Sequence, residues 1–172
     1  TYYNKNADLN VMCSKLDEFI ITLVQTTMLR YFDVLLIGPA LHNRILCTFS
    51  KLSKIHKVKG PKFVFAHIIA PHPPFLFDAK GNSVLGPELK IDNPHENLWK
   101  QKERYVDYLI FINSKIKTAI NEILTYSEDS PIIILQGDHG TCSSWPESRS
   151  EMAELDNPTN KMIIERMGIF NA

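Results

Sequence analysis

Two short apolar runs, each ending in a loop that neither a helix nor a sheet can absorb, constrain this chain more than any other feature. Lys62 to Ile69 (K-F-V-F-A-H-I-I) is rich in aromatic and β-branched residues and leads directly into Ala70-Pro71-His72-Pro73-Pro74-Phe75. Ile132 to Leu135, introduced by Pro131, is apolar on both faces and leads into Gln136-Gly137-Asp138-His139-Gly140. Such composition favours a pleated, buried conformation. Apolar character on both faces marks a strand covered on both sides, as in parallel or mixed sheets. Three prolines deny the first loop both helix and ladder pairing, so it must be rigid and irregular.

Between the runs, about Asn97 to Tyr126, the apolar residues Tyr105, Leu109, Ile112, Ile116, Ile120 and Ile123 recur at helical spacing, with Lys and Glu opposite. Strand, long helix, strand is the order of a right-handed crossover, which predicts two parallel neighbouring strands with both loops at one sheet edge. In open α/β sheets ligands bind outside the carboxyl ends of the strands, and that is where His72 and Asp138-His139 are then expected. Upstream, Asp8 to Tyr31 and Pro39 to Ile55 read as amphipathic helices separated by Gly38-Pro39. A loop continues from the prolines through Asp78, Gly81 and Asn82 to about Asn97. After the second run, Thr141 to Asn160 is polar, and Lys161 to Phe170 predicts a last helical turn or strand. No internal repeat is present. One domain spanning 1–172 is expected, with a helical lead-in at 8–59, the strand–helix–strand unit at 60–140 and a loop with a terminal element at 141–172.

Composition narrows the function classes. A chain of 172 residues can bury roughly two thirds of its unfolded surface in one core. Nineteen Lys plus Arg balance nineteen Asp plus Glu, which removes the basic field that nucleic-acid binders use; Lys51 and Lys54 read as a solvated helix face. The longest apolar stretch, Phe19 to Ile37, contains Gln25, Arg30 and Asp33, and each charge would cost about 2.5–3.5 kcal/mol near a bilayer centre, so no membrane span is expected. Cys13, Cys47 and Cys142 lack the spacing of a zinc or redox motif. Cys13 and Cys47 read as small buried hydrophobes, and a bridge between two of the three stays open. The first residue is Thr1, without a leader pattern, and the chain is expected to be a piece of something longer.

Asp138 and His139 stand between two glycines directly after the second run. A hard carboxylate oxygen and a neutral imidazole nitrogen together suit zinc, manganese or a similar divalent ion, and the glycines let backbone approach closely. The bland alternative is a strand-end turn with an exposed histidine. His72, pinned by Pro71 and Pro73, is a preorganised imidazole, set against a simple proline turn over which Phe75 and Phe77 cover the core. His67 reads foremost as a satisfied core histidine and otherwise as an outer support of a ligand, and Gln136 as a strand-end residue able to lean into the site. His42, His56 and His95 are assigned nothing. Asp107 and Asn113 read as helix decoration. Thr141, Cys142, Ser143 and Ser144 read as loop residues, since no motif fixes a base beside them.

Taken together, P-K-F-V-F-A-H-I-I-A-P-H-P-P-F at Pro61 to Phe75, the Tyr105 to Ile123 helix and P-I-I-I-L-Q-G-D-H-G at Pro131 to Gly140 resemble the catalytic domain of membrane-anchored sulfatase-like proteins. These belong to the alkaline phosphatase superfamily, with the lipoteichoic acid synthases and phosphoethanolamine transferases. The resemblance implies an αβα sandwich around a mostly parallel sheet, incomplete here at both ends. It implies a divalent metal ion (zinc, manganese, magnesium or calcium) on Asp138 and His139, and His72 as the residue contacting the transferred phosphate or sulfate group. His67 fits more loosely. It further implies a location on the extracytoplasmic face of the membrane and a phosphate- or sulfate-ester substrate, such as a cell-envelope lipid or glycopolymer.

The departures are specific. The family's Ser, Thr or modified-Cys nucleophile at a helix start, with an acidic ligand near it, has no counterpart before Asp8, and the Cys-x-Pro-x-Arg signature is absent. Ile169 to Ala172 resembles the middle of a family strand. The isolated chain is therefore expected to be inactive, and the rival reading is a non-catalytic, degenerate relative that uses the domain for binding or structure.

Overall fold

The computed structural model describes residues 4–14, 18–32, 37–84, 101–141, 143 and 157–172. The chain divides into two compact units, one of Thr1–Asp92 with Glu103–Asp129 and the other of Asn93–Lys102 with Ser130–Ala172.

The first unit is built on helices. The expected first helix is shorter than its apolar period suggests: α1 spans Glu18–Thr26, followed by a 3-10 turn at Met28–Phe32. Residues 4–14 are irregular, because the Asn10 side chain accepts from Asn4 N and donates to Asn4 O, both at 2.9 Å, closing a loop where the helix was expected. Cys13 is bonded to Cys47, with the Cα atoms 5.6 Å apart, so these two are neither thiols nor both helical. Cys142 lies outside the described residues.

Helix α2, Gly38–Leu52, has Pro39 in its first turn, where the missing N–H costs nothing. It buries Ile45 and Phe49, with Leu41, Leu46 and Leu52 packed alongside, as the spacing predicts. Helix α3, Lys102–Tyr126, runs for 25 residues and buries Tyr108, Phe111, Ile112 and Ala119. Phe75, Leu76 and Phe77, at 3%, 2% and 1% exposure, plug the space between these helices. Phe77 stacks on Phe111 with ring centres 4.5 Å apart, and Tyr108 lies beside both Phe75 and Phe77.

The second unit holds α4, Asn160–Met167, capped by Thr159, whose hydroxyl accepts from Met162 N at 3.3 Å. Met162 is its buried residue. Beyond Gly168 the chain turns back and pairs antiparallel with the end of the second apolar run. Leu135 N donates to Ala172 O (2.8 Å), Ala172 N to Leu135 O (2.9 Å) and Gly137 N to Phe170 O (2.9 Å).

The expected αβα sandwich with a mostly parallel sheet is overturned. Among the described residues helix dominates and there is no sheet. In its place are two isolated antiparallel bridges, Phe77 with Ser83 and Gln136 with Asn171. The first apolar run is exposed, with Phe63 at 94%, and Ala70 N donating to Ile68 O is a local turn, not a ladder. In the second run Ile132 is 93% exposed. The physical reason is that β propensity and apolar character describe only what a residue tolerates. A ladder needs a partner's N–H and C=O groups, which no local pattern specifies. Without a sheet there is no common edge, and the loops carrying His72 and Asp138-His139 belong to different units.

Among the described residues no helix is long and apolar enough to cross a membrane.

Candidate functional site

Asp138 and His139 leave the paired segment just past Gly137, whose N–H is tied to Phe170 O. Asp138 Oδ1 accepts from His139 N at 2.9 Å, which turns the carboxylate towards its neighbour. Asp138 Oδ2 then lies 3.4 Å from His139 Nε2. Both side chains are exposed. The two side chains therefore lie against one another.

Helix α4 supports this loop. Gly140 N donates to Arg166 O at 2.8 Å, and a Cβ on Gly140 would overlap the Glu165 carbonyl, so glycine alone permits the approach. The Glu165 carboxylate accepts from Thr141 Oγ1 and from Ser143 N, which makes Thr141 and Ser143 structural partners of α4. Arg166 Nη1 lies 2.7 Å from His139 Nδ1 and donates to Gly140 O at 3.1 Å. Glu165 and Arg166 escaped the sequence reading. The cap at Thr159 and the stop at Gly168 announce the helix, but nothing local announces what its last turn touches.

Gln136 lies in the bridge to Asn171, so its backbone terminates the paired segment. His67 is exposed, its ring 6.5 Å from that of Phe65. The expectation of a core histidine there is corrected for the same reason as the strand that was to bury it.

His72, in the first unit, is exposed and lies between two cis peptide bonds, Ala70–Pro71 and Pro73–Pro74. Its Nδ1 lies 2.6 Å from Pro73 O. A carbonyl can only accept, so Nδ1 carries the proton and neutral His72 offers a lone pair at Nε2. Downstream the loop is held by the Phe75–Phe77 plug and by a tight turn. Asp78 Oδ1 accepts from Lys80 N (2.9 Å) and Asn82 N (2.8 Å), and Oδ2 accepts from Asn82 Nδ2 (2.7 Å). The Asn82 amide, helped by backbone N–H groups of Asn82, Lys80 and Gly81 and opposed by desolvation, holds the Asp78 carboxyl below its ordinary range. Gly81 takes φ +87°, and a Cβ there would meet the Phe111 ring at 2.5 Å. Asp78, Gly81 and Asn82 are turn-forming residues, so the signal for this turn was present.

His42 is half-buried and stacks on Phe77, ring centres 4.3 Å apart. Its Nε2 and the hydroxyl of the fully buried Tyr108 are buried without a hydrogen-bond partner. Burial raises the Tyr108 hydroxyl far above its ordinary pKa and shifts Tyr105 in the same direction. Tyr108 is thus a core residue, and the half-buried Asp107 and exposed Asn113 form no polar cluster around it. His95 and Ser144 lie outside the described residues.

Among the described residues no group of three or more His, Cys, Asp or Glu side chains is placed to share one metal ion. No family model, curated protein or solved structure matches the chain.

Proposed function

We propose that this chain contributes part of a metal-dependent site for phosphoryl or sulfuryl transfer or hydrolysis, chemistry of the kind that sulfatase-like enzymes perform on cell-envelope lipid or glycopolymer esters. The observation that carries the reading is the 3.4 Å between Asp138 Oδ2 and His139 Nε2. Two ligands at about 2.0–2.2 Å from one tetrahedral ion lie roughly 3.4 Å apart, so this donor pair fits a divalent cation in spacing as well as in chemistry. Such an ion would neutralise charge on the transferred group and favour ionisation of an attacking hydroxyl. Asp138 and His139 would hold it, with Glu165 keeping the following loop against α4.

His72 is proposed, on its own geometry, as a contact for a substrate oxyanion. Its ring is fixed through Nδ1, and its protonated form presents an N–H at Nε2 to an anionic oxygen. An extracytoplasmic location is proposed with support from the Cys13–Cys47 bond, since disulfides persist in oxidising compartments.

Binding, not turnover, is the appropriate readout. Manganese and zinc are titrated calorimetrically into this chain and into Asp138→Ala. Asp138→Ala is expected to lose the binding heat, and indistinguishable heats for the two proteins would sink the metal reading.

A further inference from the structure

Arg166 stands 27 residues beyond His139 in sequence, yet its Nη1 lies 2.7 Å from His139 Nδ1. We infer that Arg166 is a positioning residue that holds His139 with its proton on Nε2, and thereby opposes capture of a divalent cation by the Asp138–His139 pair. The second half of this inference rests on the metal reading; the first half does not.

A guanidinium has donors and no acceptor, and it stays charged at all working pH values. While Arg166 donates to it, Nδ1 presents a lone pair. A neutral imidazole has a single N–H, which then sits on Nε2, facing Asp138 Oδ2 at 3.4 Å. A nitrogen holding that proton cannot also hold a cation. The competing tautomer has its own partner ready, because Gly140 O lies 2.9 Å from Nδ1. With the proton on Nδ1 and given to Gly140 O, the lone pair moves to Nε2, beside the carboxylate. One ring orientation thus serves two arrangements that exclude each other at one atom.

Charge acts in the same sense. A guanidinium this close to the pair repels a divalent ion and attracts the carboxylate that the ion would need. Besides the Arg166 Nη1 bond to Gly140 O, the loop is tied to α4 by Gly140 N, which donates to the Arg166 carbonyl, and by Glu165, which holds Thr141 and Ser143. Arg166 can leave His139 while α4 keeps its seat.

The test compares the whole chain with Arg166→Ala, and with Arg166→Gln should Ala fail to fold by circular dichroism. Imidazole nitrogen chemical shifts, read without metal, are expected to place the His139 proton on Nε2 in the unsubstituted chain and to move it towards Nδ1 in the variant. Manganese titrated by calorimetry is expected to bind the variant roughly tenfold tighter, the scale on which outer partners tune metal sites. Equal or weaker manganese binding by the variant overturns the inference and leaves the metal reading intact. No heat from either protein overturns the metal reading instead. The nitrogen shifts then decide the first half alone, and a proton on Nδ1 in the unsubstituted chain overturns it.

Discussion

The loop bearing His72 and the loop bearing Asp138-His139 are held by opposite means. The first ends in an apolar plug, Phe75 to Phe77, driven between α2 and α3 and nearly devoid of solvent contact. The second is held by hydrogen bonds and by backbone packing against the last turn of α4, with Met162 as that helix's buried residue. Area burial is non-directional, and any side chain of suitable size contributes to it. A hydrogen-bonded clamp fixes direction and contributes about 0.5–1.5 kcal/mol per bond. The first loop should therefore govern stability, and the second should govern orientation.

The sharpest way to break this contrast is Phe77→Ala. Phe77 stacks on Phe111 and His42 and packs on Tyr108, so truncation should cost about 3–5 kcal/mol in a denaturant titration. A cost below about 1 kcal/mol would show that the plug does not anchor the loop. Replacing Cys13 and Cys47 by Ser should cost nearly as much. The bond joins residues separated by 34 positions, and the chain-entropy account gives about 4 kcal/mol for a loop of that size. The midpoint shift between oxidised and reduced protein measures it, and an unchanged midpoint would remove the bond from the first unit's stability.

The two regions also differ in how far their residues announced them. Helix α2 was legible because burial follows the helical period, and Ile45 and Phe49 lie where that period puts them. For α3 the length was legible and the face only in part. Tyr105, Ile112 and Ile116 line the core as expected, but its deepest residues include Tyr108, Phe111 and Ala119, because the Phe75–Phe77 plug approaches from a side that the helix's own sequence does not specify. The apolar runs misled for a related reason: propensity describes a tolerance, whereas pairing is a relation between distant segments. At the candidate site, Asp138 and His139 could be read as a pair because they are covalent neighbours. Arg166 and Glu165 could not, since their partners lie 27 and 24 residues away.

Two glycines put the same contrast on a finer scale. Gly81→Ala would place a Cβ against the Phe111 ring at a φ of +87°, so it strains the turn and crowds the core together. Gly140→Ala would meet the Glu165 carbonyl, a backbone atom that cannot rotate away. Each should cost about 1–3 kcal/mol, the usual range for overpacking. The consequences should differ in place. Hydrogen exchange should quicken across α3 in the first variant and only around Gly137, Gly140 and α4 in the second. Similar exchange profiles would mean that the two loops are not held independently.

The smallest effect concerns acid and the Asp78 turn. The Asn82 side chain and three backbone N–H groups favour the ionised carboxylate, so its folded pKa lies below its unfolded one. Between those two values the unfolded chain binds more protons, so stability rises with pH. The turn's contribution is therefore complete above the ordinary aspartate range of about 3.9 and is lost as pH falls through the folded value. The Lys80 and Asn82 amides, which donate to Oδ1, should lose protection from exchange below that range, while amides of the Asp138 loop follow global unfolding alone. Asp78→Asn keeps a carbonyl acceptor but removes the ionisation, so it should flatten this local response. If the response persisted in that variant, the protonated group would be another one, and the turn would owe its order to the Phe75–Phe77 plug rather than to its own carboxylate.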